Sequence, residues 1–256
     1  DVSLVGSEMC IRDSPNDVLV ITAGVDVQDT SIHISFLGFT SKEIIHVIHH
    51  SVLSGDPSTM MLWQSLDKEL DQVFTRRDGI RLKVAGACID SGGHFTQNVY
   101  AYCKTRFHKR IFAIKGVAGD RAIFPKRASL NNTARIPLFL IGVDSAKDII
   151  FNRVRREGLV KFSNTLDQDY FSELISERVV TRFRNGNPIR VYERTKRHNE
   201  ALDCMVYGYA NYMGINPNFK VIEKNLKKSG QEKVKENPRP KNKTVLRNNF
   251  INSWKN

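Results

Sequence analysis

Three aspartates stand where their carboxylates could hold divalent metal ions. Asp26 and Asp90 each end an apolar run rich in β-branched residues, and Asp203 lies inside an apolar stretch with helical spacing. Two carboxylates held close together repel unless a proton or a cation lies between them. Hard cations such as Mg²⁺ and Mn²⁺ prefer oxygen ligands. A third acid would complete a site for two ions about 4 Å apart, the arrangement that activates water in phosphodiester cleavage.

Each of these aspartates also has an ordinary structural interpretation. Aspartate after a strand is common as a turn residue or a helix cap, and we interpret Asp29 in this way. Asp90, before Ser91-Gly92-Gly93, could do the same, and Asp203 could face solvent on its helix. An unpaired carboxylate is costly to bury among apolar neighbours. The joint occurrence of the three acids therefore favours a shared site.

The hydrophobic pattern predicts the elements that must position the three acids. Alternating and β-branched runs indicate strands, and apolar residues three or four apart indicate helices. The predicted strands are 18–27, 31–39, 43–52, 80–89, 111–115 and 137–143, with a hairpin at 179–193 that turns through Asn185-Gly186. The first predicted helix begins near Asp56-Pro57-Ser58-Thr59. Four more helices are predicted at about 95–107, 145–157, 168–177 and 198–213.

This order of elements predicts an α/β fold with a mixed sheet flanked by helices. Three antiparallel strands, a helix, and then strand–helix–strand match the ribonuclease H-like fold. In that fold the fourth strand lies parallel to the first, so Asp26 and Asp90 would lie side by side.

Composition narrows the class of partner. The formal net charge of +12 favours an anionic partner, nucleic acid first and an acidic membrane surface second, although high charge also favours solubility without any partner. No apolar run reaches the ~18 residues that a membrane span needs, so we expect no membrane-embedded segment. The four cysteines form no CxxC pair, which favours buried, reduced thiols over a zinc site.

Five sequence blocks resemble the nuclease domain of the large terminase subunit of lambda-like tailed phages. The blocks are GVDVQ (24–28), ACIDSGGHFTQNVYAYCK (87–104), IFAIKG (111–116), IGVDSAKDIIFNRV (141–154) and NEALDC (199–204). They follow the family's order and fall within residues 18 to about 214. The resemblance implies a metal-dependent endonuclease that cuts concatemeric double-stranded DNA during head packaging, with two Mg²⁺ or Mn²⁺ ions held by Asp26, Asp90 and Asp203.

Four further residues could support that site. Asp144 could contribute to the site or cap the helix that follows it, and Lys115 could meet a phosphate or simply end its strand. His94 could assist water near Asp90 or cap a helix, and Glu200 precedes Asp203 by three residues. We interpret His46, His49 and His50 as structural. Four basic residues are predicted to contact the DNA backbone: Lys104, Arg106, Lys109 and Arg110.

The ends of the chain differ in character from its centre. Residues 1–14 resemble translated sequencing adapter, so we expect a non-native leader there. The nuclease domain is predicted at 15–216. Residues 217–256 are predicted to form a basic, largely disordered tail.

The resemblance also implies partners and a location. A large terminase carries an ATPase motor, yet no G-x-x-x-x-G-K-[ST] loop occurs in this sequence, so we expect a truncated product whose motor would lie N-terminal. The small terminase subunit and the portal protein would be partners in the host cell cytoplasm. Two alternatives stay open: a non-catalytic nucleic-acid-binding or assembly module of the same fold, and a cellular resolvase-type nuclease.

Overall fold

A computed structural model describes residues 12–130 and 135–226. Its strands are β1 Arg12–Ser14, β2 Val20–Val27, β3 Ser31–Phe39, β4 Ile45–Ser54, β5 Val73–Arg76, β6 Arg81–Asp90, β7 Ile111–Val117, β8 Leu138–Gly142, β9 Val160–Phe162, β10 Glu177–Arg184 and β11 Asn187–Arg194. Its helices are α1 Met60–Leu70, α2 Thr96–Arg106, α3 Val143–Val154, α4 Gln168–Leu174 and α5 Glu200–Ile215, with a short 3₁₀ turn at Phe107–Lys109 and a further helical segment at 219–226.

Within the described residues, β1 to β9 form one mixed sheet, and β10 and β11 form a separate hairpin. The central strand β2 pairs antiparallel with β3 and parallel with β6. Strand β4 continues the antiparallel meander, whereas β7 and β8 continue the parallel half. The predicted fold class is therefore confirmed: the sheet is α/β, mixed in direction and consistent with a ribonuclease H-like fold.

Helices cover both faces of the sheet, which explains why β2 is buried along its length. Every residue of Val20–Val27 is buried. The side chains of Ile21, Ala23 and Val25 pack in the core that α1 and α2 cover. The opposite face carries α3, α4 and α5. Because side chains alternate along a strand, Asp26 must lie on the second face, under α5.

The contact between β2 and α5 is backbone on backbone. A Cβ added at Gly24 would lie 1.8 Å from the Cys204 carbonyl oxygen and 2.4 Å from the Gly208 nitrogen. Thr22, on the same face, donates its hydroxyl to the Gly208 carbonyl oxygen at 2.7 Å. This close approach sets how near the first turn of α5 lies to the end of β2.

Four described segments differ from the predicted elements or limits. Strand β5 was not predicted, because the apolar spacing of α1 continues to Val73; pairing with β6 ends the helix first. Strand β9, three residues long, pairs with β4 and was also missed. Strand β1 lies inside the predicted leader and pairs with β5, and residues 219–226 of the predicted tail are helical.

Residues 1–11 of the predicted leader and 227–256 of the predicted tail lie outside the described part of the chain. The domain limits at 15 and 216 accordingly stay a prediction. Within the described residues, no helix is both long enough and apolar enough to cross a bilayer.

Gly24→Ala should lower the free energy of unfolding by roughly 3 kcal/mol, because its Cβ overlaps backbone atoms that cannot rotate away. Urea unfolding followed by circular dichroism measures this. Gly93→Ala is the matched control, since its Cβ would meet only the Val27 carbonyl oxygen at 3.5 Å, an ordinary contact. Equal stability of the two variants would contradict the close packing of α5 on β2.

Candidate metal centre

Asp26 and Asp90 lie at the same level on neighbouring parallel strands. Strand β2 pairs with β6 so that Val25 faces Ile89, and each aspartate is the next residue along its strand. Asp203 comes from the first turn of α5, which crosses β2 at Gly24. The structure therefore brings the three predicted acids together at the carboxyl ends of the two central strands.

Burial and mutual repulsion hold protons on the metal-free site. Burial first, and then the neighbouring charges of Asp203 and Asp90, raise the pKa of Asp26 to about 8. The side-chain amide of Gln28 donates to the Asp26 carboxylate and opposes this shift. At neutral pH the Asp26 carboxyl group is therefore mostly protonated when no cation is bound.

The pKa of Asp90 is raised less than that of Asp26, because two neighbouring groups oppose the shift. Burial, and to a lesser extent the charge of Asp203, raise the pKa of Asp90 to about 6. The Gly92 backbone N–H donates to the Asp90 carboxylate at 3.2 Å, and the charge of Lys115 also lowers the pKa. Lys115 follows Ile114, the residue of β7 that pairs with Asp90, so this predicted supporting residue does lie beside the cluster.

Asp203 is held by a buried polar network. Asn199 donates its side-chain amide to Asp203 Oδ2 at 2.8 Å and to Glu177 Oε1 at 3.1 Å. Lys147 Nζ lies 2.7 Å from Glu177 Oε2 and 3.7 Å from Asp203 Oδ1. Burial raises the pKa of Asp203, while the Lys147 charge lowers it. The network fixes the Asp203 carboxylate from two sides.

Neither Lys147 nor Glu177 is among the site residues predicted from the sequence. Lys147 is only 6% exposed and lies on the buried face of α3, next to Ala146 and one turn before Ile150. A lysine on the apolar face of a helix was the available signal, because such a residue is almost never fully buried unless it is paired. Glu177 begins the hairpin and carries no comparable signal.

The other predicted supporting residues have separate roles. Asp144 lies in the first turn of α3 and accepts the Gly119 backbone N–H at 2.7 Å, which fixes the loop after β7. His94 Nδ1 lies 2.8 Å from Asp29 Oδ1, and both side chains are largely exposed. Glu200 is buried, and its charge contributes, as a minor cause, to the raised pKa of Asp26.

The four basic residues predicted to contact the DNA backbone lie away from the three aspartates. Helix α2 carries the chain back to the start of β7, so Lys104 and Arg106 lie toward the opposite end of the strands from Asp90. Arg106 Nε donates to Asp67 Oδ1 at 2.7 Å, and Lys109 Nζ lies 2.9 Å from Asp71 Oδ1. Arg110 lies beside Ala87, about 10 Å before Asp90 along the strand. Their contact with DNA stays a prediction, and it would need a duplex that extends beyond the carboxyl ends of the strands.

The raised pKa of Asp26 predicts how stability depends on pH. Without metal, the native state keeps a proton that the unfolded chain releases near pH 4, so the free energy of unfolding should fall between about pH 4 and pH 8. Asp26→Asn should flatten this fall and raise the melting temperature at pH 8 in EDTA. Thermal melts across that pH range measure both effects, at about 2–4 °C per kcal/mol for a chain of this size.

Asp29→Asn serves as the control, because Asp29 is exposed and pairs with His94. Adding Mn²⁺ at pH 8 should stabilise the wild type more than Asp26→Asn. A wild-type melting temperature that rises steadily from pH 4 to pH 8 in EDTA would refute the assigned protonation of Asp26.

Comparison with known proteins agrees with the resemblance found in the sequence. A family model described as terminase large subunit gpA, endonuclease domain, matches residues 7–225. The chain is 27% identical over 213 residues to the terminase large subunit of Enterobacteria phage P21, and 28% identical over 210 residues to that of Escherichia phage lambda. Each match covers 77% of this chain and 32% of the relative, so the chain spans about a third of their length. No solved structure matches. The chain belongs to the endonuclease-domain family of the phage terminase large subunit gpA.

Proposed function

We propose that this chain is a metal-dependent endonuclease domain that hydrolyses phosphodiester bonds in double-stranded DNA. The observation that carries the proposal is the convergence of Asp26, Asp90 and Asp203 at one end of the central strands, with raised carboxyl pKa values. Within a terminase, the substrate would be concatemeric phage DNA awaiting packaging. The proposed catalytic residues are these three aspartates.

The donor set fits Mg²⁺ or Mn²⁺. Three carboxylates offer oxygen ligands alone, and their mutual repulsion is relieved when a divalent cation replaces the protons. Two such ions, when bound, would activate water and offset charge on the scissile phosphate.

The protein's own residues have defined tasks in this proposal. Asp26 and Asp90 hold the ions from the rigid sheet, and Asp203 closes the site from α5. Lys147 and Asn199 keep the Asp203 carboxylate in one orientation. Lys115, exposed at the edge of the cluster, is positioned to offset negative charge on the DNA.

The β10–β11 hairpin offers a surface for the DNA backbone. It begins at Glu177, inside the network that holds Asp203, and its second strand contacts α3, where the Tyr192 hydroxyl donates to Asp148 and Arg190 pairs with the same carboxylate. Between residues 177 and 194 the sequence holds five arginines and two glutamates. Arg182 and Arg190 are more than half exposed, and Phe183 near the turn is 74% exposed. A two-stranded ribbon of this kind fits the major groove, and arginines bind phosphate.

The rest of the packaging machine belongs to the proposal as well. The curated relatives are about three times as long as the matched region, which leaves room for the ATPase motor that this sequence lacks. We place that motor N-terminal to this domain. The small terminase subunit and the portal protein would be its partners in the host cytoplasm, where the DNA is cut.

Cleavage of supercoiled plasmid by the purified chain tests the nuclease assignment. We expect nicking or linearisation with Mn²⁺ or Mg²⁺ and none in EDTA. Asp26→Asn and Asp203→Asn should each lower the rate by on the order of 100-fold or more, because each removes an ion ligand. Asp29→Asn, near the site but outside the carboxylate cluster, should cut at the wild-type rate.

Undiminished cutting by both site variants would refute the assignment of the aspartates. If the wild type does not cut and calorimetry shows no Mn²⁺ binding, a non-catalytic nucleic-acid-binding module becomes the better proposal. Preference for four-way junctions over linear duplex would favour a resolvase-type activity.

The hairpin surface predicts a directional effect on DNA affinity. The double variant Arg182→Gln/Arg190→Gln should weaken duplex binding in EDTA and reduce the dependence of log affinity on log salt by about one to two. Fluorescence anisotropy with a labelled duplex at several salt concentrations measures both quantities. The double variant Lys104→Gln/Lys109→Gln, at the opposite end of the sheet, removes the same two charges and should have little effect. If the control variant weakens binding and the Arg182→Gln/Arg190→Gln variant does not, DNA approaches from the opposite end of the sheet.

A further inference from the structure

A second group of potential metal ligands lies beside the three aspartates. His33 on β3, His50 on β4 and Glu173 on α4 each offer a ligand atom, and these atoms all lie within 4.8 Å of one another. The three side chains are partly buried, and the two imidazole rings have centroids 5.9 Å apart. Residues from three separate elements therefore converge on one point.

The hydrogen bonds of the two histidines leave ring nitrogens available. His50 Nδ1 lies 2.9 Å from the Ser35 hydroxyl oxygen, which leaves Nε2 to bind a ligand. His33 Nε2 lies 3.2 Å from the Ser31 hydroxyl oxygen, while its buried Nδ1 has no hydrogen-bond partner. A buried polar atom without a partner is rare and costly, and metal coordination is one way to satisfy it.

Glu200 supplies a second, independent observation. It is only 7% exposed, and its Oε2 is buried without a hydrogen-bond partner. Its charge affects the pKa values of His33, His50 and Glu173, so its carboxylate lies near all three. Glu173 Oε2 accepts the Ala201 backbone N–H at 2.9 Å, which fixes α4 against the start of α5.

We propose that His33, His50 and Glu173, with Glu200, form a binding site for one zinc-like transition-metal ion, separate from the three-aspartate centre. Two imidazoles and one or two carboxylates are a common donor set for Zn²⁺ and suit other borderline metals. Mg²⁺ prefers oxygen ligands alone and is a poor match. The two neighbouring sites would thus select different metals.

The state of the imidazoles is compatible with this ligand set. Burial, with the neighbouring His33 and His49, lowers the pKa of His50 to about 4, and burial also lowers that of His33. Both rings are therefore neutral near pH 7, and neutral imidazole is the form that binds metal. A cleft lined in part by Gln28, Ser31 and Glu173 reaches this region from the surface and gives an ion a path of entry.

An ion at this point would tie four elements together. It would join β3, β4, α4 and the first turn of α5, and the α5 ligand Glu200 precedes Asp203 by one helical turn. Its expected effect is to stabilise the start of α5. The inference does not depend on nuclease activity, because metal binding and stability can be measured without DNA.

Zinc titration of the metal-free, untagged chain, in buffer that holds excess Mg²⁺, tests the site. Calorimetry should show one Zn²⁺ bound per chain, and a thermal melt should show stabilisation by Zn²⁺. Replacing Zn²⁺ with Co²⁺ adds a visible absorption spectrum that reports imidazole ligation. His50→Ala and Glu173→Gln should each weaken Zn²⁺ binding at least tenfold.

Two controls separate this site from others. Asp26→Asn should bind Zn²⁺ as the wild type does, although its DNA cleavage is lost, and His94→Ala should also bind normally. Circular dichroism verifies that each variant is folded. If His50→Ala unfolds, the test depends on Glu173→Gln alone, which keeps the size of the side chain. No Zn²⁺ binding by the wild type, or binding that Asp26→Asn abolishes and Glu173→Gln leaves intact, would overturn the proposal.

Discussion

The close approach of α5 to β2 is the constraint on which the rest of the site depends. Because residue 24 is glycine, the helix backbone rests directly on the strand backbone. The first turn of α5 then reaches the carboxyl end of β2, where Asp26 lies. A side chain at residue 24 would hold the helix away and separate Asp203 from the two strand aspartates. The geometry of the carboxylates is thus set by a residue that has no side chain.

Packing three carboxylates under a helix has an electrostatic cost that the protein offsets only in part. Lys147 is ion-paired with Glu177 and lies 3.7 Å from one Asp203 oxygen, and Asn199 donates to the other. Asp26 has a single amide donor, Gln28, and remains the most perturbed of the acids. The imbalance leaves the centre short of positive charge, which is the condition under which divalent cations bind most readily.

The sequence indicated the fold and the three aspartates because both depend on local patterns. Strands β2 and β6 have continuous apolar runs, and their parallel pairing follows from the order of the elements around them. The roles of Lys147, Glu177 and His33 could not be predicted in the same way. Each depends on side chains that come from elements far apart in the chain, and no spacing rule connects them.

Local reasoning is also limited where neighbouring residues diverge in space. The lysines and arginines after Asp90 are close to it in sequence, but α2 carries them to the far end of the strands. The sequence favours a structural role for His50, because His46, His49 and His50 are not all on one strand face and no cysteine is spaced to complete a zinc site. Its partners instead lie on β3 and α4.

The position of Glu177 gives the hairpin a mechanical connection to the carboxylates. Glu177 is the first residue of β10. Its carboxylate also accepts hydrogen bonds from the Lys147 ammonium group and the Asn199 side-chain amide. Any displacement of the ribbon at its base must stretch one or both of these contacts, and Asn199 holds Asp203 directly. A force on the hairpin would therefore reach the Asp203 carboxylate through the side chains of Glu177, Lys147 and Asn199.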